Sequence, residues 1–192
     1  MISVPTTTIM PKIEKLEKKL NIRTSLEQEL FLKVFNRVAQ VLSPRYSYKK
    51  IDFSKKPISE LIAKSKDLSS LFLDSKEGFV VICTLGHEIT SVINDYQKES
   101  ELAYALYADK IASDAVENLI EYVSYMLLHR FFDSNKYKLT RRYSPGYGDL
   151  SLDKQKDLFS LFEAKDLEVS LNTKNFMIPE KSISCLVGVY SD

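Results

Sequence analysis

The run Phe79-Val80-Val81-Ile82-Cys83-Thr84 is β-branched at most positions and apolar at all but the last. A strand with one wet face alternates apolar and polar residues, whereas an unbroken apolar run suits a strand covered on both faces. These residues therefore predict a central strand. Two helical stripes could cover it. Ala105, Ala108, Ala112, Val116, Leu119, Val123 and Leu127 recur at helical spacing and predict a long helix, or a helix pair, over 101–132. Leu26, Leu30, Val34, Val38 and Val41, widened by Phe31, Phe35 and Leu42, predict a helix over 26–42. Thr24 and Ser25 each stand three residues before Glu27 and Gln28, so either pair fits a capping box, and Pro44 closes the segment.

The remaining pattern is shorter. Residues 11–21 read as a charged helix with Ile13, Leu16 and Leu20 on one side, 46–53 as a strand and 58–73 as a helix. Gly86 precedes a helix to about 98. Residues 135–143 read as extended, and 152–163 as a helix capped by Ser151. Leu167–Leu171 and Ser182–Tyr190 read as strands joined through Met177-Ile178-Pro179. Strands, then helices, then strands predict an α+β fold: an antiparallel or mixed twisted sheet that includes 79–84 and 182–190, with helices 26–42 and 101–132 packed on it. The expected organisation is a helical segment, 1–45, packed on a single unit, 46–192.

Composition removes several functional classes. The 27 basic and 26 acidic residues nearly cancel, which excludes a nucleic-acid binder that relies on phosphate contacts. No apolar stretch approaches the roughly 20 residues of a membrane span, and the N-terminus lacks the basic start and apolar core of a signal peptide, so a cytoplasmic location is expected. Cys83 and Cys185 lie in apolar runs and read as buried thiols. Two cysteines and two histidines, all scattered, predict no metal site. There is no GxGxxG and no P-loop, and neither His87 nor His129 has a Ser or Cys partner in an activated arrangement.

Rare residues gather in one place. Two of six arginines and two of five glycines fall in Arg141-Arg142-Tyr143-Ser144-Pro145-Gly146-Tyr147-Gly148-Asp149. A guanidinium is a planar fork for carboxylate or phosphate, and glycine lets a ligand approach the main chain. In an extended segment Arg141 and Arg142 would point to opposite faces. Composition alone leaves two readings open, a binding loop or a tight turn with solvated arginines. Asp114, Glu117 and Glu121 share a helical face by their spacing, and such a set is either a solvated face or part of a site.

Arg142-Tyr143-Ser144-Pro145-Gly146-Tyr147 resembles the Arg-x-x-Pro-Gly-Tyr signature of the activation (reactivation) domain of cobalamin-dependent methionine synthase. Three further stretches agree in order. Thr84-Leu85-Gly86-x-Glu88 resembles the strand-to-helix turn of stand-alone bacterial members. Ser113-Asp114-Ala115-Val116-Glu117 resembles the long-helix segment, and Phe176 to Ser184 resembles the C-terminal Met-x-Pro-x-x-Ser-x-Ser pattern. The agreement covers roughly residues 78–190.

The resemblance implies a non-Rossmann fold that binds S-adenosylmethionine (SAM) and closes over cobalamin held by a partner. In that family, cofactor that has oxidised to cob(II)alamin is restored by an electron, typically from flavodoxin, and a methyl group from SAM. The protein supplies position and the cofactor the chemistry. Carried over by position, Arg142 would hold the methionyl carboxylate, Ser144 and Gly146 would line the pocket, and Tyr147 would stand between SAM and the corrin. Glu117 would meet the ammonium or the charge near the sulfonium, and Gly148 and Asp149 would follow on the cobalamin-facing side. Asp114, Gly148-Asp149 and Lys174-Asn175 depart from the long synthase. The chain has no Asp-x-His-x-x-Gly cobalamin motif. The implied role is therefore an activation component of a methyltransferase, acting in trans on a cobalamin-binding methionine synthase. The alternative is a non-catalytic accessory that caps a corrinoid protein.

Overall fold

The computed structural model describes residues 1–99 and 101–191, so the outer limit of the expected 46–192 unit falls outside them. In chain order the elements are β1 (Ile2–Ser3), α1 (Thr6–Ile9), α2 (Ile13–Leu20), α3 (Ser25–Val41), β2 (Arg45–Asp52), α4 (Ile58–Lys64), α5 (Lys66–Leu71), β3 (Glu77–Thr84), α6 (Glu88–Lys98), α7 (Leu102–Phe131), β4 (Tyr137–Leu139), α8 (Gln155–Phe159), β5 (Ser170–Leu171), β6 (Met177–Ile178) and β7 (Ser182–Ser191). The main sheet is antiparallel, ordered β1-β2-β3-β7-β4. The fold is α+β, as the sequence predicts, and among the described residues no helix is long and apolar enough to cross a membrane.

The apolar run of β3 is buried from Gly78 to Thr84, and its two faces feed two cores. Phe79, Val81 and Cys83 join Cys185, Val187 and Val189 of β7 under α7, while Val80, Ile82 and Leu186 face the side covered by α4, α5 and the 143–169 segment. Successive side chains of a strand point to opposite faces, which is why one continuous run serves both cores. Each fully buried Val, Ile or Phe is worth about 1.5–3 kcal/mol relative to exposure.

The long helix is single. At 1.5 Å per residue, α7 runs about 45 Å across the sheet. The capping box forms at Thr24: its hydroxyl accepts from the Glu27 amide, and Glu27 accepts from the Thr24 amide at 2.9 Å. Helix α3 then packs on α7 and α6 rather than chiefly on the sheet. Leu26 departs from the expected stripe; it is 68% exposed in the first turn of α3.

Three expectations need correction. The helix over 58–73 is two helices, because Ser65 is extended and its hydroxyl caps the second by accepting from Leu68 at 3.0 Å. The helix over 152–163 is a single 3₁₀ turn, Leu152–Lys154, followed by the short α8. Ser151 does not cap it, since its hydroxyl donates to the Asp153 carboxylate. The strand over 167–171 shrinks to β5, which pairs with β6 in a two-stranded sheet apart from the main one.

Candidate functional site

The Pro-Gly-Tyr loop is fastened at both ends. Tyr143 exchanges two backbone bonds with Leu186 of β7, at 2.9 and 2.8 Å. Its hydroxyl donates to Asp67 and lies 3.2 Å from the Tyr147 carbonyl. Burial, then the hydrogen bond to the Asp67 carboxylate, push the Tyr143 phenol up to about 12. Inside the loop, the Gly146 amide donates to the Leu150 carbonyl at 2.7 Å and the Leu150 amide to the Tyr147 carbonyl at 3.0 Å. The glycines are demanded by geometry. Gly146 and Gly148 have φ of +96° and +50°, and a Cβ on Gly148 would lie 2.0 Å from Asp67 Oδ2.

This fastening brings Arg142 to α7. Arg142 Nη2 lies 3.1 Å from Glu117 Oε2, with the Arg142 side chain 31% exposed. Two adjoining cavities meet there. The first, about 520 Å³, is lined by Glu117, Ser144 and Tyr147 and runs under Leu152, Phe176 and Met177 to Gln155. The second, about 420 Å³, shares Glu117, Ser144, Tyr147 and Ile183 and adds Arg142, Tyr143 and Gly148. Small-molecule sites are typically roughly 300–1,000 Å³, apolar in the main, with a few convergent polar groups.

The sequence-predicted residues divide in two. Arg142, Glu117, Ser144 and Tyr147 come together, with Tyr147 69% exposed at the mouth. Gly148 lines the second cavity. Gly146 shapes the turn without lining either cavity, and the Asp149 carboxylate faces away from both, accepting from Ser65 and from the Lys66 amide at 2.6 Å. Arg141 lines the second cavity beside Arg142. The expected alternation fails because β4 ends at Leu139 and the chain at 140–142 is no longer a strand.

The neighbours of Glu117 on its helical face do other work. Asp114 pairs with Lys19 at 2.9 Å and Lys110 at 3.1 Å, which ties α2 to α7. Burial pushes the Asp114 carboxyl up, and the two lysines outweigh it and hold it below the usual range. Glu121 lines a separate surface hollow with Tyr122, Tyr125 and His129. Lys174 is exposed on the β5–β6 hairpin.

The thiols are buried, and burial pushes Cys185 up to about 12 and Cys83 well above the ordinary thiol value. Among the described residues there is no group of three His, Cys, Asp or Glu that could hold a metal.

Sequence reasoning missed the residues that hold and floor this site. Asp67 and Tyr143 anchor the loop, and Gln155 and Ser184 form the polar floor of the first cavity. The Phe176–Ser184 stretch carried a signal through its resemblance, whereas Gln155 carried none.

The sequence matches no family model and no curated protein. Among solved structures, the fold matches the crystal structure of the MetH reactivation domain bound to AdoHcy. The TM-score is 0.60 at 14% identity, over 97% of this chain and 72% of that one. The α+β fold, a five-stranded antiparallel sheet with the long helix packed on it, is thus similar to the fold of that domain.

Proposed function

We propose that the chain binds SAM between Arg142 and Glu117 and serves as the activation component of a cobalamin-dependent methionine synthase, acting in trans on a partner that carries the cobalamin. The observation that carries this reading is the meeting of a guanidinium fork and a carboxylate, 3.1 Å apart, where two cavities join. SAM carries a carboxylate, an ammonium and a sulfonium. Arg142 matches the first bidentately and Glu117 matches the cations, so the ligand would exchange one internal ion pair for two external ones. The fold neighbour was solved with AdoHcy, the demethylated product of SAM, which supports the same ligand class here.

Bound this way, the adenosyl portion would extend into the apolar first cavity. Ser144 and Pro145 would wall it and exclude water, and the chain would hold the methyl-bearing sulfur in one orientation. Reduced cobalamin, when the partner presents it, supplies the nucleophile. Tyr147 stands exposed at the mouth, where a flat macrocycle could rest against its ring. With the nucleophile supplied by the cofactor, the chain would need only to hold the ligand in place.

Isothermal titration of the purified chain with SAM and with AdoHcy tests this. Saturable binding of both is expected. Absence of binding by either ligand up to about 1 mM, equivalent to no more than about 4 kcal/mol, would sink the reading.

A further inference from the structure

Gln155 is the first residue of α8 and is 3% exposed, yet its side chain lines the first cavity. Its Nε2 donates to the Asn175 carbonyl at 2.9 Å. Its Oε1 accepts from the Ser184 hydroxyl at 3.2 Å. The Asn175 carbonyl can only accept, so the nitrogen must face it and the amide cannot turn over without losing that bond. A primary amide has two N–H donors and two lone pairs, and these bonds use one of each. One donor and one acceptor therefore remain, held in fixed order, in a pocket walled by Leu152, Phe176 and Met177.

The other buried polar side chains on this wall offer less. Ser182 donates to the Pro179 carbonyl at 2.7 Å and is met by Thr84 at 2.8 Å, and the Ser184 proton goes to Gln155. A side-chain amide with a free donor beside a free acceptor complements an adenine edge, where an exocyclic amine sits next to a ring nitrogen acceptor. Hypoxanthine presents the reverse of this pattern, a carbonyl oxygen in place of the amine and a ring N–H in place of the acceptor, and a pinned amide cannot turn over to suit it.

We infer that Gln155 is the base-specificity residue of this site, reading adenine through its amide while Asn175 and Ser184 lock its orientation. The inference rests on the SAM reading above and deepens it. Because a bidentate amide–adenine pair discriminates by about fivefold to a hundredfold, the wild-type chain should bind AdoHcy more tightly than S-inosylhomocysteine by that factor.

Calorimetric titration of both ligands into wild type, Gln155→Met and Gln155→Glu is the test. Met keeps the volume and Glu the shape, so one of them should fold if the other does not. Both variants should bind AdoHcy more weakly and bring the ratio of the two affinities close to one. Equal wild-type affinities would overturn the inference while leaving the SAM reading intact. A wild-type preference that survives in the variants would also overturn it, because Gln155 would then only brace the hairpin through Asn175. Absence of binding by either ligand to wild type would sink the SAM reading and this inference with it.

Discussion

The Asp149 carboxylate accepts the Lys66 amide at 2.6 Å, so the residue that closes the Pro-Gly-Tyr-Gly turn also caps a helix 83 residues earlier. The Ser65 hydroxyl, followed by the Lys66 and Asp67 amides, holds the Asp149 carboxyl below the ordinary aspartate range. The contribution of a group lowered in this way is complete above its unfolded value, about 3.9, and is lost as pH falls through the folded one. Acid unfolding followed by circular dichroism should therefore show wild type exceeding Asp149→Asn at neutral pH, with the gap closing below about pH 4. A gap that does not change with pH would mean that the charge is irrelevant to the cap.

Gly148→Ala should destabilise the fold and Gly146→Ala should do so less. Both positions have positive φ, but only at 148 would the new Cβ meet fixed polar atoms, Asp67 Oδ2 at 2.0 Å and the Tyr143 hydroxyl at 2.2 Å. Strain and overpacking together cost about 1–3 kcal/mol or more. Thermal melts of the two variants should differ by several degrees, in that order.

Tyr143 gives the opposite pH signature. Its pKa is raised to about 12, from an ordinary value of about 10. In that window the unfolded chain has released the phenolic proton and the folded chain retains it, so this group's contribution is full below about pH 10 and lost as pH rises towards 12. The stability difference between wild type and Tyr143→Phe should shrink over that range in denaturant titrations.

Arg142→Ala should weaken SAM binding by about tenfold to a hundredfold, corresponding to about 1.5–3 kcal/mol for a charge-assisted pair. Arg142→Lys should recover only part of it, because an ammonium lacks the fork. Arg141 lines the same cavity from its exposed rim without the Glu117 contact, so Arg141→Ala should cost measurably less. Equal losses would remove the special place of Arg142.

The purified chain should carry no corrinoid, and it should form a complex with a cobalamin-loaded methionine synthase, tighter when the cofactor is cob(II)alamin. Analytical ultracentrifugation with absorbance in the corrin bands checks both. Stoichiometric corrinoid on the chain alone would contradict this.

What the sequence made legible was local or periodic. The apolar run of β3 and the Thr24–Glu27 box each carry their own instructions within a few residues, and both elements form where expected. The break at Ser65 was illegible because its partner, Asp149, comes from a distant loop. The shortening of the helix after Ser151 is of the same kind: the residue was right for a cap, but its hydroxyl found Asp153 instead. Within the site, Arg142 and Glu117 could be picked out through the resemblance. Gln155 could not, because an amide in a charged stretch looks solvated until β7 and the hairpin are folded around it.

The placement of Glu117 near the middle of α7 has a mechanical consequence. Helices fray from their ends, where backbone groups lack partners, and the loss of a terminal turn is felt least at the centre. The carboxylate is thus insulated from whatever happens at Leu102 or Phe131, including a partner docking against either tip. The β5–β6 hairpin, with two paired residues per strand, has no such reserve. One wall of the cavity is anchored like a beam and the other hangs like a shutter, so ligand contact should steady the hairpin and leave the helix unmoved.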